Sequence, residues 1–426
     1  MAQIFHTREI LTADPARVVL LPFHIAISSR ESAVSVIARM KRIYDGVAAM
    51  DAQAVRAATA RLERNFDARH RDLKDTLLSR FRQIRDAGGV GAALDDEKSA
   101  LIGAYFSHEY SFQAAALLNP SVVAHPDQSG LPGGATRFIL STRCVGEGHL
   151  STIAFREGVF HADGAIRLAP AAATASPAHM ADDDVHEGPI TLRKAPGDLS
   201  ASVIFPMTRA QSNGLEDLRM ARFEDADGAL YLGSYTAFSG RELRCERFET
   251  RDFETFRLLP MRGAAVFHKA LAFFPKRIDG RYAAIGRLDH ESLYYLESDD
   301  IGVWNNGEPI VQPRYDWELM QVGNCGAPIE LDEGWLVITH GVGPVRTYAL
   351  GAVLLDKADP RKVLARARQP LIAPDAQSRD GYAPNVIYSC GGMKAGDWLF
   401  LPYAAADSRV CLATARIRDV LAQLDG

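Results

Sequence analysis

Along the first hundred residues, apolar side chains recur at steps of three and four. Val34, Ile37, Met40, Tyr44 and Val47 form one stripe, and Val55, Ala58, Leu62, Phe66, Leu73, Leu77, Phe81 and Ile84 extend a second. One face of an α-helix repeats at this spacing, so the segment predicts two amphipathic helices. Asp51 stands where a cap would start the second, Gly88, Gly89 and Gly91 stop it, and a shorter helix is expected over Asp96–Tyr105. The Arg, Asp, Glu and Lys residues opposite the stripes read as a solvated surface. Beyond about residue 110 the rhythm changes. Short runs such as TRFILSTRC and WLVITHGV alternate with Gly, Asp and Pro, the signals of strands and turns.

Those strands repeat. A turn followed by an apolar or aromatic strand with a polar end occurs in GGATRFILSTRC, DGALYLGSYTAF, DGRYAAIGRL, EGWLVITHGV and AGDWLFLPYAAAD. Their turn glycines, at 134, 228, 280, 334 and 396, are separated by 94, 52, 54 and 62 residues. Fifty-odd residues accommodate about four short strands, the size of a propeller blade. The expectation is mainly β: a five-bladed β-propeller over residues 109–426, preceded by an all-α N-terminal domain over residues 1–108. The oversized first interval holds APAAATASPAHMADDD, read as a surface insertion. The same hairpins are also compatible with an irregular β-sandwich, because any hairpin needs Gly or Asp turns. In a propeller, equivalent strand ends converge on one mouth, here Arg143, Tyr235, Arg287, His340 and Tyr403 with Asp407 just beyond. Such a set suits an anion and polyol pocket.

Composition narrows the function classes. Apolar residues are 47%, charged residues 24% and aromatics 8% of the 426, which excludes disordered, collagenous and coiled-coil chains. The net charge of −5 provides no global basic field for a nucleic acid or an anionic membrane, so neither is expected as a partner. Cys144, Cys245, Cys325, Cys390 and Cys411 are odd in number and widely spaced, which fits neither a disulfide framework nor a zinc site. No metal or cofactor is expected. The N-terminus lacks a signal-peptide pattern, and no run approaches the ~18 apolar residues of a membrane span. A cytoplasmic protein is the expectation.

Walker, dinucleotide-binding, serine-hydrolase and zincin motifs are missing from the sequence. The segments NPSVVAHPDQS, STRCVGEGHLSTIAFREG, GLEDLRMARFEDADG, FHKALAFFPKRIDGRYAAIGR, QVGNCGAPIELDEGWLVITHGV and GYAPNVIYSCGG carry a different signal. In order and wording they resemble glycoside hydrolase family 130, the β-mannoside phosphorylases and β-mannosidases, over roughly residues 115–426. The resemblance implies a five-bladed propeller, and residues 1–108 look like the helical extension of one branch of that family.

The resemblance also implies chemistry. Glu216, Asp217, Leu218 and Arg219 match the family's Glu-Asp-Pro-Arg-like motif, which makes Asp217 the general acid, with Leu218 in place of the usual proline. A sheltered carboxyl that keeps its proton near neutral pH would serve that role. The family's phosphate-holding positions fall on Lys269, Arg287, Gln321 and His340. Lys269 replaces an arginine, Ala270 an asparagine and Gln321 a lysine. The sugar subsite is expected from Asn119, Arg143, His149, Ser151, Glu216, Arg219, Tyr235, Asp289, Tyr382 and Asp407, with Trp398 a further stacking candidate. The implied reaction is inverting phosphorolysis of a terminal β-linked mannoside, with inorganic phosphate as co-substrate and an oligosaccharide or glycoconjugate as partner. An inverting β-mannosidase is the alternative, since one phosphate-clamp lysine is gone. It would need a second carboxylate ~6.5–9.5 Å from the first, with Asp289, Glu330, Asp380 and Asp407 as candidates. A non-catalytic glycan-binding propeller is the third reading. The helical domain is read as a shield for the propeller or a homo-oligomer contact.

Overall fold

The computed structural model describes residues 4–23, 33–88, 91, 94–181, 188–225 and 228–425. Gly89, Asp227 and Asp182–Asp184, which entered the turn and insertion assignments above, lie outside them. The chain divides into two compact units. One holds Pro15–Phe112 with Ala172–Ser176, and the other holds Met1–Asp14, Gln113–Ala171 and Pro177–Gly426.

The smaller unit contains the helices Ala33–Ala48, Ala52–Phe66, Leu73–Asp86 and Asp96–Tyr105. The Asp51 carboxylate accepts the amides of Gln53 and Ala54, the capping geometry its position implied. The long second stripe is two helices rather than one. A 3₁₀ turn at Asp67–Arg69 and a left-handed Asp72 at φ 52° interrupt it. His70 and Arg69 both reach Glu109 across that break, at 2.7 and 3.1 Å. Val47, Val55, Phe81, Ile84, Ile102 and Phe106 form the unit's main core. Gly103 allows the last two helices to approach closely, because a β-carbon there would lie 2.0 Å from the Leu77 carbonyl oxygen. The unit is not all-α: Val18–Pro22 pairs antiparallel with Ser107–Ser111. Nor does its first stripe bury throughout, since Val34 and Ile37 are exposed. Among the described residues, no helix is long and apolar enough to cross a membrane.

Among the described residues the larger unit is mainly β, and its strands fall into five successive antiparallel modules, the first two joined in one sheet by the parallel pairing of Gly214 with Ser151. The first is Ala116–Ala124, Thr136–Val145 and Ser151–Phe160, flanked by Ile166–Leu168. The second is Gly214–Asp225, Gly228–Phe238, Leu243–Thr250 and Thr255–Pro260. The third runs through Ala272–Phe273, Tyr282–Gly286, Leu293–Ser298 and Gly307–Val311. Gln321–Asn324, Trp335–Gly343, Thr347–Leu355 and Val363–Ala367 make the fourth. The fifth has Ile387–Tyr388, Trp398–Ala405 and Arg409–Arg416. Its outer strand comes from the other end of the chain: Phe5–Thr12 pairs with Arg409–Arg416, from Phe5 opposite Thr414 to Thr12 opposite Arg409. The expected boundary at residue 108 is therefore corrected, because residues 4–14 belong with the β unit.

Part of the low-complexity insertion is also built into this unit. His179–Met180 pairs with Ile190–Arg193, and Ala178 is buried in the core shared by the first two modules. None of the five cysteines, all of them among the described residues, is joined in a disulfide.

Candidate active site

In every module the first strand begins, and the second ends, at the same end of the unit. Two β-bulges at that end aim the chemistry. In the first module Leu118 pairs with Arg143 and Ser121 with Ser141, so Asn119 and Pro120 together face Thr142. In the second, Glu216 pairs with Thr236 and Arg219 with Ser234, so Asp217 and Leu218 together face Tyr235. Asn119 and Asp217 are left-handed, at φ 48° and 56°, an uncommon state for a non-glycine residue. The bulged side chains meet: the Asn119 amide Nδ2 donates to Asp217 Oδ1. Leu218, in the place of the family proline, is buried in the adjoining core.

A dense charge cluster surrounds that contact. The Arg143 guanidinium donates to Glu216 Oε1 at 2.7 Å, Asp217 Oδ1 at 3.3 Å and Ser151 Oγ at 2.9 Å. Arg219, 2% exposed, donates to the Asp217 carbonyl at 2.8 Å and the Tyr388 hydroxyl at 2.9 Å, and lies 3.6 Å from Asp217 Oδ2. Lys269 Nζ sits 2.9 Å from Glu216 Oε2. Burial pushes the Asp217 pKa up, but Arg143, Arg219, Lys269 and the Asn119 hydrogen bond outweigh it and hold the carboxyl far below its usual range. The expectation that shelter keeps Asp217 protonated is thus corrected for the free site. Asp407 moves the other way. Burial, opposed by Arg143 and reinforced by the Asp217 charge, pushes it up to about 6.

The neighbouring strands add a second cluster. His340 is fully buried, its ring 4.8 Å from that of Tyr388 and stacked 5.9 Å from Tyr348. Arg287 Nη1 lies 3.3 Å and Gln321 Nε2 2.9 Å from His340 Nε2. Donation from these groups makes Nε2 the acceptor and places the ring proton on Nδ1. Burial, with the charges of Arg287 and Arg219, lowers the His340 pKa well below its usual value. His340 is therefore neutral and not a third cation of a phosphate clamp, and Lys269 is already paired. Arg287, by contrast, is half-buried and has no carboxylate partner among the described residues.

Several other expectations are redirected. Tyr235 is fully buried and its hydroxyl donates to Glu246 Oε2 and accepts from Gln211, so it belongs to the core. Tyr403 is also core, bonded to His6 Nδ1 at 3.0 Å. Trp398 starts its strand at the opposite end from Asp407, donates to the Ala162 carbonyl and is covered by Arg416. Asp289 closes its own turn by accepting the amides of Glu291 and Ser292 and the Tyr294 hydroxyl. Glu330 pairs with Lys276 and Lys357, at the end of the fourth module away from His340. Asp380 is exposed. His149 and Tyr382 are joined, ring nitrogen to hydroxyl, between the first and fifth modules. Tyr348 and Tyr388 were not singled out from the sequence, although both lie in or beside the quoted segments. Their ring contacts with His340, one from the neighbouring strand and one from the fifth module, place them at its sides.

The profile of a family described as beta-1,4-mannooligosaccharide phosphorylase (Glyco_hydro_130) matches residues 195–425. A 1,2-beta-oligomannan phosphorylase from Thermoanaerobacter sp. strain X514 is 32% identical over 226 residues, 52% of this chain and 75% of that protein. A beta-1,2-mannobiose phosphorylase from Listeria innocua serovar 6a is 29% identical over 231 residues, 52% of this chain and 63% of that protein. In structure, the beta-1,2-mannobiose phosphorylase of Listeria innocua, in complex with beta-1,2-mannobiose, superposes with a TM-score of 0.53 at 20% identity, over 73% of this chain and 92% of that one. A GH130 structure described with glycoside hydrolases that target beta-1,2 mannosidic linkages in Candida mannan gives 0.54 at 18% identity, over 73% and 87%.

Proposed function

The chain belongs to glycoside hydrolase family 130, and we propose that it is an inverting phosphorylase of terminal β-linked mannosides whose five modules are the blades of a propeller closed by Phe5–Thr12. The observation that carries the reading is the division of charge. On one side, the carboxylates of Glu216 and Asp217 are matched by Arg143, Arg219 and Lys269. On the other, the Arg287 guanidinium stands beside neutral His340 and the Gln321 amide, with no carboxylate partner among the described residues. The two sides are connected through Arg219, Tyr388 and His340. A guanidinium with its charge unmatched is suited to a phosphate.

In the proposed reaction, hydrogen phosphate attacks the anomeric carbon as the bond to the leaving oxygen breaks on the opposite face. Asp217 gives that oxygen a proton and is reprotonated from the attacking hydrogen phosphate. The products are α-mannose 1-phosphate and a shortened acceptor. Asp217 is ionised in the free site, so it takes up its proton as substrates bind; a phosphate anion near Arg287 adds negative charge and moves the carboxyl in that direction. Asn119, Arg143 and Asp407 offer donors and acceptors for the mannosyl hydroxyls. The names of the relatives make β-1,2-mannobiose the substrate to try first. The expected result is α-mannose 1-phosphate and mannose formed only when phosphate is present. Mannose released at the same rate without phosphate would sink the reading in favour of hydrolysis. That second reading draws support from the paired Lys269 and from Asp407, a second carboxylate within the field of Asp217.

A further inference from the structure

Two hairpins at the site end share one backbone path although their sequences differ. In the first module Gly146 (φ −106°, ψ −159°) leads through Gly148 (φ 69°) and His149 (φ 60°) to Leu150 (φ −67°, ψ 121°). In the fourth, Gly343 (φ −107°, ψ −161°) leads through Val345 (φ 55°) and Arg346 (φ 54°) to Thr347 (φ −79°, ψ 120°). Glycine takes the first left-handed position without strain, but a β-branched valine does not. The Val345 side chain is 88% exposed, so no packing accounts for its conformation. Strain held without a packing return is characteristic of residues kept for function.

The consequence of the path is the placement of the next residue. Arg346 occupies in the fourth module the position that His149 occupies in the first. His149 is engaged with Tyr382, whereas Arg346 is exposed and forms no hydrogen bond or ion pair with any described residue. It is nevertheless near enough to Asp407 for its charge to act on that carboxyl.

We propose that Arg346 is a specificity-determining residue for the acceptor: its guanidinium, presented by the left-handed Val345–Arg346 pair, binds hydroxyl groups of the leaving sugar beside Asp407, as the counterpart of the His149–Tyr382 pair. The proposal rests on the mannoside reading above. A planar donor fork suits vicinal hydroxyls, and its position on a hairpin tip places it outside the charge cluster around Asp217.

The test is kinetics on the full chain with β-1,2-mannobiose and phosphate. Arg346→Ala is expected to raise KM for mannobiose about tenfold or more, leave KM for phosphate unchanged and reduce kcat by less than about threefold. Arg346→Lys should recover part of the loss. Val345→Gly, which keeps the path as Gly148 does, should retain the wild-type KM for mannobiose. A wild-type mannobiose KM in Arg346→Ala overturns the proposal while leaving phosphorolysis standing. If the wild type cleaves nothing, phosphorolysis fails, and calorimetric mannobiose binding by the same proteins decides: weaker binding by Arg346→Ala supports the proposal, and equal binding overturns it. No binding by the wild type overturns both.

Discussion

Asp217 and Asp407 lie in one electrostatic field that drives their protons in opposite directions. Three cations and an amide hold Asp217 ionised, and the resulting negative charge helps to raise Asp407 to about 6. Asp217→Asn keeps the shape and the Asn119 contact but removes the transferable proton, so kcat should fall by roughly 10²–10⁴-fold while mannobiose binding persists. A variant that cleaves like an active wild type would remove Asp217 from the acid role, whereas a wild type that binds mannobiose and is as inactive as the variant would leave the glycan-binding reading. For Asp407, the folded protein holds the proton more tightly than the unfolded chain. Its contribution to stability is therefore complete below about pH 4 and is lost as pH rises through about 6. Asp407→Asn should accordingly match wild type near pH 4 and exceed it by roughly 1–3 kcal/mol at pH 7.5. Urea midpoints across that range check the claim, and a constant difference would refute it. At this scale the sequence is legible where a motif names the atom, as for Glu216, Asp217 and Arg219. It misleads where a side chain's face must be known. Tyr235 aligns with the repeat's polar strand ends, but alternation along Gly228–Phe238 turns it into the core, and a one-residue phase error is enough to do so. The charge state of His340 was not legible at all, because it depends on burial and on arginines that are distant in sequence.

The elements that matter most are the two bulges and the N-terminal strand, and sequence pattern exposes neither. A bulge is a mismatch between strands and needs both partners to be seen. The strand FHTREILT mixes apolar and polar residues on both faces, and its partner lies some four hundred residues away. Helical stripes and hairpin turns, by contrast, are local and readable: Asp51 caps its helix as its position implies, and Asp96–Tyr105 is the shorter helix expected there. The strand's role can be tested directly. Its register with Arg409–Arg416, the Phe5–Trp398 ring contact and the bond from Tyr403 to His6 all disappear if residues 1–12 are deleted. The Arg409–Arg416 edge would then be open to other chains. The expected outcome is a melting temperature lower by on the order of 5–10 °C together with aggregates in gel filtration, whereas an unchanged melting curve would make the strand dispensable.

For the whole molecule, a net charge of −5 means that phosphate must be attracted by one local feature rather than by the general field. Arg287→Ala should therefore raise KM for phosphate about tenfold or more and change KM for mannobiose little, and equal effects on both would remove Arg287 from the phosphate side. Chain organisation leads to a last test. The main segment of the helical unit, to which only Ala172–Ser176 is added, starts at Pro15, directly after the strand that completes the fifth module, and ends at Phe112, directly before the first. Its two ends are adjacent, since Ser111 Oγ donates to the Pro15 carbonyl at 2.9 Å and Val18 pairs with Ser111. It is thus an insertion with a closed neck, a topology that a linear division at residue 108 cannot represent. Replacing Pro15–Phe112 by a short Gly/Ser linker leaves both neighbours of the neck in place, whereas truncation at 108 also removes Phe5–Thr12. The linker variant should unfold cooperatively and retain phosphate-dependent cleavage of mannobiose, and the truncation should do neither. If both variants fail alike, the helical unit is needed to fold the β unit; if both succeed, the N-terminal strand is not the closure proposed for it.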